Sequence, residues 1–390
     1  MMKMKRVPTN RKRRKTTDSV YVLPYYLPIE IITKILIKLP VKTLVKFRCV
    51  CRSWLALISD PIFVQNHLRA STQDKGYAHH RLIMSSHLRL EVKSCSLPSV
   101  LHEECYPSTH DHYYPLKHWP DSVLIVGSVN GLVCIASEEE GSVFLWNPSI
   151  RKSKRLPDCG LGLKERLGRD IVYGFGYDEA SSDYKVIRIK STEVNIYGLK
   201  RDSWRKIGIF PKGFPMDTKC TFVSGSLHWA PTGENEWEAL FHNYWNSDNP
   251  IVSFDLSKET YSEISQPCYE KDATESYLGV LGDSLLCILR DYFYEQAEVW
   301  VMNEYGKVES WSKLFSIQYC IRHQGYLYDV PLCISFTKTE VLLMLGKQRL
   351  VLYNMDNHTF RPTNIRGCLP EYQYKVYTYI ESLVSPYPDS

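Results

Sequence analysis

The chain has 390 residues, of which 44% are apolar and 13% aromatic, with 27 Tyr, 9 Trp and a formal charge of +5. That length holds one large and one small domain, or two to three ordinary ones, and the composition is that of a soluble globular protein biased toward β-structure. The charge is uneven: residues 1–17 carry eight Lys/Arg and no acid, which leaves −3 for the other 373, so the body lacks the general basic surface that nucleic-acid binding needs.

Residues 1–20 read as a basic, disordered tail with no apolar stretch of the secretory kind. Its run Lys12-Arg13-Arg14-Lys15 has two readings, a nuclear address or a solubilising tail. No 18-residue apolar run follows; the greasiest window, near Val20–Leu44, is broken by Pro24, Pro28, Lys34, Lys38 and Pro40. The twelve cysteines form no CxxC pair, and a chain this long needs no disulfide framework. A reducing compartment, cytoplasmic and/or nuclear, is the expectation, with most thiols acting as small buried apolar groups.

Residues 21–70 read as four short helices. Pro28 suits the first helical position, and Ile31, Ile32, Ile35, Leu36 and Leu39 recur at helical spacing until Pro40 stops the helix. Val41, Leu44, Val45 and Phe47 mark a second helix, and Trp54, Leu55 and Ile58 a third. Asp60-Pro61 reads as the cap and first residue of a fourth, carrying Phe63, Val64 and Leu68. A unit this small hides only a modest share of its apolar surface, so part of it is expected to face another protein. The competing reading is a helical cap on the next domain.

The succession Leu27-Pro28, Leu39-Pro40-Val41-Lys42-Thr43-Leu44, Phe47-Arg48-Cys49-Val50-Cys51-Arg52-Ser53-Trp54 and Ile58-Ser59-Asp60-Pro61 resembles an F-box, without a gap to about Leu68. It is most similar to the plant group in which an F-box precedes an F-box-associated β-domain. The resemblance implies docking onto the Skp-type adaptor of a cullin-RING (SCF) ubiquitin ligase. The positions that match the motif are Leu27, Pro28, Ile31, Ile35, Leu36, Leu39, Pro40, Leu44, Val50 and Trp54. Contact residues and internal core residues are not separable among them from sequence.

Beyond residue 70 the periodicity becomes strand-like, and an imperfect repeat sets the architecture. Each unit has an apolar strand, a variable loop and an aromatic-bearing strand, and the aromatics Trp146, Tyr197, Phe254, Trp300 and Tyr353 recur at intervals of about fifty residues, the period of a four-stranded, kelch-like propeller blade. A second aromatic follows seven residues later at Trp204, Tyr261 and Phe360; after Trp300 it comes at Trp311, beyond an insertion, and Ser153 takes the place after Trp146. Five units are visible. Strands near Arg81–Met84 and Leu88–Val92 are expected to pair with Tyr374–Ile380 as a sixth, composite blade, because closing the ring removes exposed sheet edges. The predicted fold is thus α+β: a small helical F-box, then an all-β propeller of about six blades over residues 71–390. The segments Asn130-Gly131-Leu132-Val133-Cys134, Trp146-Asn147-Pro148-Ser149, Gly174-Phe175-Gly176-Tyr177-Asp178 and Tyr379-Ile380-Glu381-Ser382-Leu383 resemble the F-box-associated domain. The same layout occurs in S-locus F-box proteins and in F-box proteins that limit immune-receptor levels.

Catalytic chemistry is sparse. Gly174-Phe175-Gly176 precedes a turn and a strand rather than a helix, which argues against phosphate binding. His110-Asp111-His112, with His118, has metal-ligand residue types but no fourth ligand at a recognisable spacing, so a solvated loop is expected. His228 beside Trp229 reads as a packed histidine. No metal or cofactor is expected. A ubiquitin-ligase receptor needs no catalytic residue, since it contributes proximity. Target recognition is expected from loops at Cys105–Pro120, Pro157–Arg169, Thr232–Asn249 and Tyr292–Ala297. The aromatics Trp237, Phe241, Tyr244 and Trp245 are either a binding hot spot or packing against a neighbouring blade. The alternative function is a propeller-type glycan-binding or enzymatic protein with a helical cap, which requires polar side chains converging in the central funnel. A non-ligase scaffold is a third reading.

Overall fold

Among the described residues, twenty-four strands form six four-stranded antiparallel sheets. The structure, a computed structural model, describes residues 27–86, 91–102, 107–112, 114–115, 123–137, 141–159, 171–211, 220–230, 249–270, 275–281, 285–292, 296–318, 331–335, 337–345, 349–368 and 374–388. The basic segment 1–20 lies outside these.

Four helices lead: α1 (Ile29–Leu36), α2 (Val41–Phe47), α3 (Arg52–Ser59) and α4 (Pro61–Thr72). Pro28 sits one place earlier than expected, as the cap of α1 rather than its first residue. Its carbonyl accepts from the N–H groups of Ile31 and Ile32. Either place spares proline's missing N–H, and composition does not distinguish them. Asp60 caps α4 as expected, its carboxylate accepting from Ile62 N at 2.8 Å and Phe63 N at 3.1 Å, with Pro61 first in the helix.

The composite blade holds β1 (His80–Ser86), β2 (Glu91–Ser96) and the short β3 (His110–Asp111). The next two blades are β4 (Val123–Val129), β5 (Leu132–Ser137), β6 (Val143–Asn147) and β7 (Lys152–Arg155), then β8 (Ile171–Asp178), β9 (Asp183–Lys190), β10 (Glu193–Gly198) and β11 (Ser203–Ile209). They are followed by β12 (Thr221–Val223), β13 (Ser226–Trp229), β14 (Ile251–Asp255) and β15 (Thr260–Ile264), and by β16 (Glu275–Leu281), β17 (Leu285–Tyr292), β18 (Gln296–Met302) and β19 (Trp311–Gln318). The last blade is β20 (Cys333–Ile334), β21 (Glu340–Leu345), β22 (Arg349–Asn354) and β23 (Thr359–Pro362), after which β24 (Tyr374–Ile380) returns to the start. It pairs with β1 from His80↔Ile380 to Ser86↔Tyr374 and closes the ring as expected.

Burial follows position in the blade. Second strands such as β5 and β9, packed on both faces by neighbouring blades, are almost wholly buried; β5 is a near-continuous apolar run, whereas β9 also buries Asp183, Lys185 and Arg188. Outermost strands such as β7 and β11 are half-exposed and carry Lys and Arg, which blunts free edges. Trp146, Tyr197, Phe254 and Tyr353 are buried, and each packs into the interface with the preceding blade. Their partners Trp204, Tyr261 and Phe360 lie directly opposite, with ring centroids 5.4, 4.9 and 5.1 Å away. In the β16–β19 blade the insertion Asn303–Ser310 shifts the pattern: Trp311 faces Met302, and Trp300 faces Lys313.

The glycines of Gly174-Phe175-Gly176 lie within β8. A Cβ on Gly174 would meet Cys220 Sγ at 2.9 Å, and one on Gly176 would meet Phe222 and Leu256 at 2.6 Å. They allow the next blade to approach closely, which accounts for the motif without a nucleotide.

Candidate functional site

The helical unit has its own core of Leu36, Val41, Leu44, Ile58 and Phe63, joined by Leu383 from the far end of the chain and lined by Ile150 from the β6–β7 turn. His67 is wholly buried at this junction. Its Nε2 lies 3.0 Å from the Leu39 carbonyl and its ring stacks with Phe63; burial holds its pKa below the usual imidazole value. These contacts fix the unit against one face of the propeller.

What that core leaves outside is apolar. Among the described residues, eleven large apolar side chains are exposed, and seven of them fall between residues 27 and 62: Leu27, Ile29, Ile31, Ile35, Val50, Leu55 and Ile62. Ile31 and Ile35 lie one turn apart along one side of α1, and Leu27 stands just ahead of the helix, before its cap Pro28. Lys34, Lys38, Lys42, Lys46 and Arg52 are exposed in the same unit, against few acids.

The ten motif positions therefore separate. Leu27, Pro28, Ile31, Ile35, Pro40 and Val50 are exposed; Leu39 and Trp54 are half-buried, with the Trp54 ring 5.1 Å from that of Phe47. Leu36 and Leu44 are 2% and 0% exposed, and this corrects their candidacy as contact residues: they are enclosed in the core and offer a partner no surface. Ile29, Leu55 and Ile62, which are not among the ten, are exposed as well. Helical periodicity marks an apolar stripe, and it does not say which flank a neighbouring helix covers.

The propeller's central channel, about 250 Å³, is lined by Val126, Phe175, Thr221, Val280, Tyr377 and Tyr379 among others, and none of its described lining residues is Asp, Glu, His, Lys or Arg. Thr72 of α4 lies at the end where Asn130 and Ile380 sit. His110 and Asp111 are exposed, as a solvated segment would be, though they form β3 rather than a loop; His112 is packed inward, its Nε2 2.6 Å from Ser94 Oγ and its ring edge-on to Trp146, and His118 lies outside the described residues. Burial pushes its pKa down to about 4. No group of three potential metal ligands occurs among the described residues. His228 is a packed histidine, as expected: wholly buried, with Nδ1 3.1 Å from the Thr221 carbonyl and Nε2 2.8 Å from the Tyr305 hydroxyl, and held down to about 4 by burial. No helix among the described residues is long and apolar enough to cross a membrane.

Strand order separates the two propeller faces. The tight turns at Asn130-Gly131, Pro148–Arg151 and Ser224-Gly225 lie on the helical side, as Ile150 shows by packing there. The long connections β7–β8, β11–β12, β13–β14 and β19–β20 leave from the opposite side. Trp237, Phe241, Tyr244 and Trp245 belong to the β13–β14 connection and lie outside the described residues.

Comparison with known proteins follows this division. The profile of the F-box domain matches residues 26–66, and that of the F-box associated beta propeller domain matches residues 82–386. The Arabidopsis thaliana F-box/kelch-repeat protein At3g23880 is 32% identical over 385 residues, covering 93% of this chain and 96% of its own. F-box protein CPR1 of the same plant is 28% identical over 382 residues, covering 89% and 86%.

Proposed function

We propose, from the premise that the chain belongs to the plant F-box proteins with an F-box associated beta propeller domain, that it is the substrate-receptor subunit of an SCF-type E3 ubiquitin ligase. The observation that carries this is the exposed apolar set on the F-box, centred on Leu27, Ile31, Ile35 and Val50, on a unit whose opposite side is already occupied by its own core and the propeller. A solvated F-box has no use for such a surface, whereas a Skp-type adaptor would cover it. Pro28 and Pro40, as helix caps, hold the ends of α1 and α2, and Leu39 and Trp54 support the surface from below.

Through the adaptor the receptor joins cullin and RING subunits and contributes no catalytic group of its own. Residues 21–70 are the docking unit and residues 71–390 the propeller, with the basic segment 1–20 ahead of them, in the cytoplasm or nucleus. The target binds the propeller face away from the F-box, where the long connections emerge, including the one that carries Trp237, Phe241, Tyr244 and Trp245.

The test is co-purification of the full chain with a purified Skp-type adaptor, comparing wild type with Leu27→Ala/Pro28→Ala and Val50→Asp. Capture by wild type and loss in both variants is expected. No capture by a folded wild-type chain refutes the assignment. Trp54→Ala is a poorer probe, because the ring is half-buried on Phe47 and its loss also loosens the fold.

A further inference from the structure

Three sequence motifs far apart in the chain meet at one place. After β24 the chain leaves the ring as Glu381–Pro388 and runs to the helical unit. Ser382 is wholly buried there. The Asn147 amide donates to the Ser382 carbonyl at 3.0 Å, to Ser382 Oγ at 3.2 Å and to the Val384 carbonyl at 2.8 Å, while its own oxygen accepts from Ser149 N at 2.9 Å. Gly131, at φ +82°, has Ser382 against its α-carbon: a Cβ would lie 2.2 Å from Ser382 Oγ and 2.8 Å from the Ile380 carbonyl. Glu381 pairs with Arg81 at 3.4 Å, and the Tyr387 hydroxyl donates to the Ser153 carbonyl at 2.7 Å. Between these fixings Leu383, 3% exposed, enters the cluster of Leu36, Val41, Leu44, Ile58 and Phe63.

We propose that Glu381–Tyr387 is a strap that completes the F-box core, so that adaptor docking depends on a closed propeller. The helical unit is short of one core side chain until Leu383 arrives, and Leu383 is 320 residues beyond Phe63. The strap is positioned by Asn147 and Gly131 on one side and by the pairing of β24 with β1 on the other, so it forms only once the ring has shut. Leu36, the inward residue of α1, packs in the cluster that Leu383 fills, and α1 also presents Ile31 and Ile35 outward, with Leu27 just ahead of it. A chain whose propeller is unfinished or open therefore presents a loosened docking helix, and the ligase takes up receptors whose target-binding ring is assembled. Leu383 and Asn147 are positioning residues in this scheme. The adaptor half of it rests on the function proposed above.

Hydrogen–deuterium exchange on the full chain tests the core-completion half without any partner. In Leu383→Ala and Asn147→Ala, exchange over Ile29–Phe47 is expected to quicken about tenfold or more, while the amides of β5, β9 and β17 keep wild-type rates. Leu383→Met, which keeps volume and apolarity, is expected to restore protection. Affinity for the purified Skp-type adaptor is expected to fall about fivefold or more in the first two variants and to recover in the third. Unchanged exchange over α1 and α2, or acceleration spread evenly through the propeller strands, overturns the strap. Faster exchange in α1 and α2 with adaptor affinity within about twofold of wild type overturns the coupling to docking. A wild-type chain that binds no adaptor sinks the ligase reading and the docking half, and exchange still decides whether the strap completes the core.

Discussion

Ile35 and Leu44 look equivalent in sequence, as two aliphatic residues of the F-box motif, and the structure separates them into opposite experimental classes. Ile35 is 50% exposed and Leu44 is 0% exposed. Full burial of a large aliphatic side chain is worth about 1.5–3 kcal/mol, so covering the exposed half of Ile35 with a partner contributes roughly 1 kcal/mol. Ile35→Asp forfeits that and places a carboxylate in the covered surface, so about 2–4 kcal/mol of binding is at stake, roughly 30- to 1000-fold in Kd. In the free chain the same change costs only about 1 kcal/mol, since the carboxylate stays in water. Leu44→Ala removes a fully enclosed side chain and should cost about 2–5 kcal/mol of stability. Urea unfolding of both variants, with calorimetric titration of a Skp-type adaptor, separates the two. Ile35→Asp should show a near-wild-type midpoint and lost binding; Leu44→Ala should show a lowered midpoint. An Ile35→Asp chain that keeps wild-type affinity, or that loses as much stability as Leu44→Ala, refutes the division into surface and core.

Gly176→Ala puts a methyl group 2.6 Å from Phe222 and Leu256, and overpacking of this kind should lower stability by about 1–3 kcal/mol, seen as a drop in Tm with adaptor affinity retained. His112 and His228 are held near 4 by burial, well below an unfolded imidazole, so the folded state binds fewer protons than the unfolded one. Their contribution is full above about pH 6.5 and is lost as pH falls toward 4, about 3 kcal/mol for each; the slope of stability against pH in that window should flatten in His228→Gln. Asp178 joins adjacent blades: burial opposes its charge, but hydrogen bonds from Ser181, Ser257 and Lys185 outweigh that and hold its carboxyl far below the usual range. Asp178→Ala should cost about 1–3 kcal/mol, because Lys185 loses its 2.9 Å partner but keeps Glu259 at 3.4 Å and the Leu256 carbonyl at 2.6 Å, and Asp178→Ala/Lys185→Met should cost less than the sum of the singles; additive losses in the double-mutant cycle would contradict the pairing.

The ring was legible because its cause is periodic. In four of the six blades one aromatic faces the blade before it, at Trp146, Tyr197, Phe254 and Tyr353. Closure was legible for a related reason: Tyr374–Ile380 has the pattern of a buried strand and no neighbour of its own in sequence. The local pattern failed where a contact comes from far away. Nothing within residues 27–68 says that Leu383 will cover Leu36 and Leu44, so the apolar stripe of the F-box divides into inside and outside only in three dimensions. His112 failed likewise, since a Tyr/Pro-rich neighbourhood reads as solvated until Trp146 and Ser94 enclose the imidazole. Asn147 and Gly131 carried a signal without a meaning: a family motif and an Asn-Gly turn, whose joint partner Ser382 is more than two hundred residues away.

The two faces of the propeller impose a distance on the proposed function. Blade strands such as β8 and β9 run eight residues, and at about 3.3 Å per residue they separate the F-box side from the long connections by roughly 25 Å. A target held at the far face gains effective concentration near a charged E2 only if that separation and its direction are stable, because a flexible joint spreads the same target over a much larger volume. A single linker between α4 and β1 would allow such a spread. The strap gives the F-box a second attachment at the opposite end of the chain, and two attachments fix an orientation where one leaves a swivel. Severing the second one, as in Leu383→Asp, should therefore lower the rate of ubiquitin transfer to a bound target by more than it lowers the occupancy of target or adaptor. A transfer rate that falls only in proportion to occupancy would mean that orientation is set elsewhere in the complex.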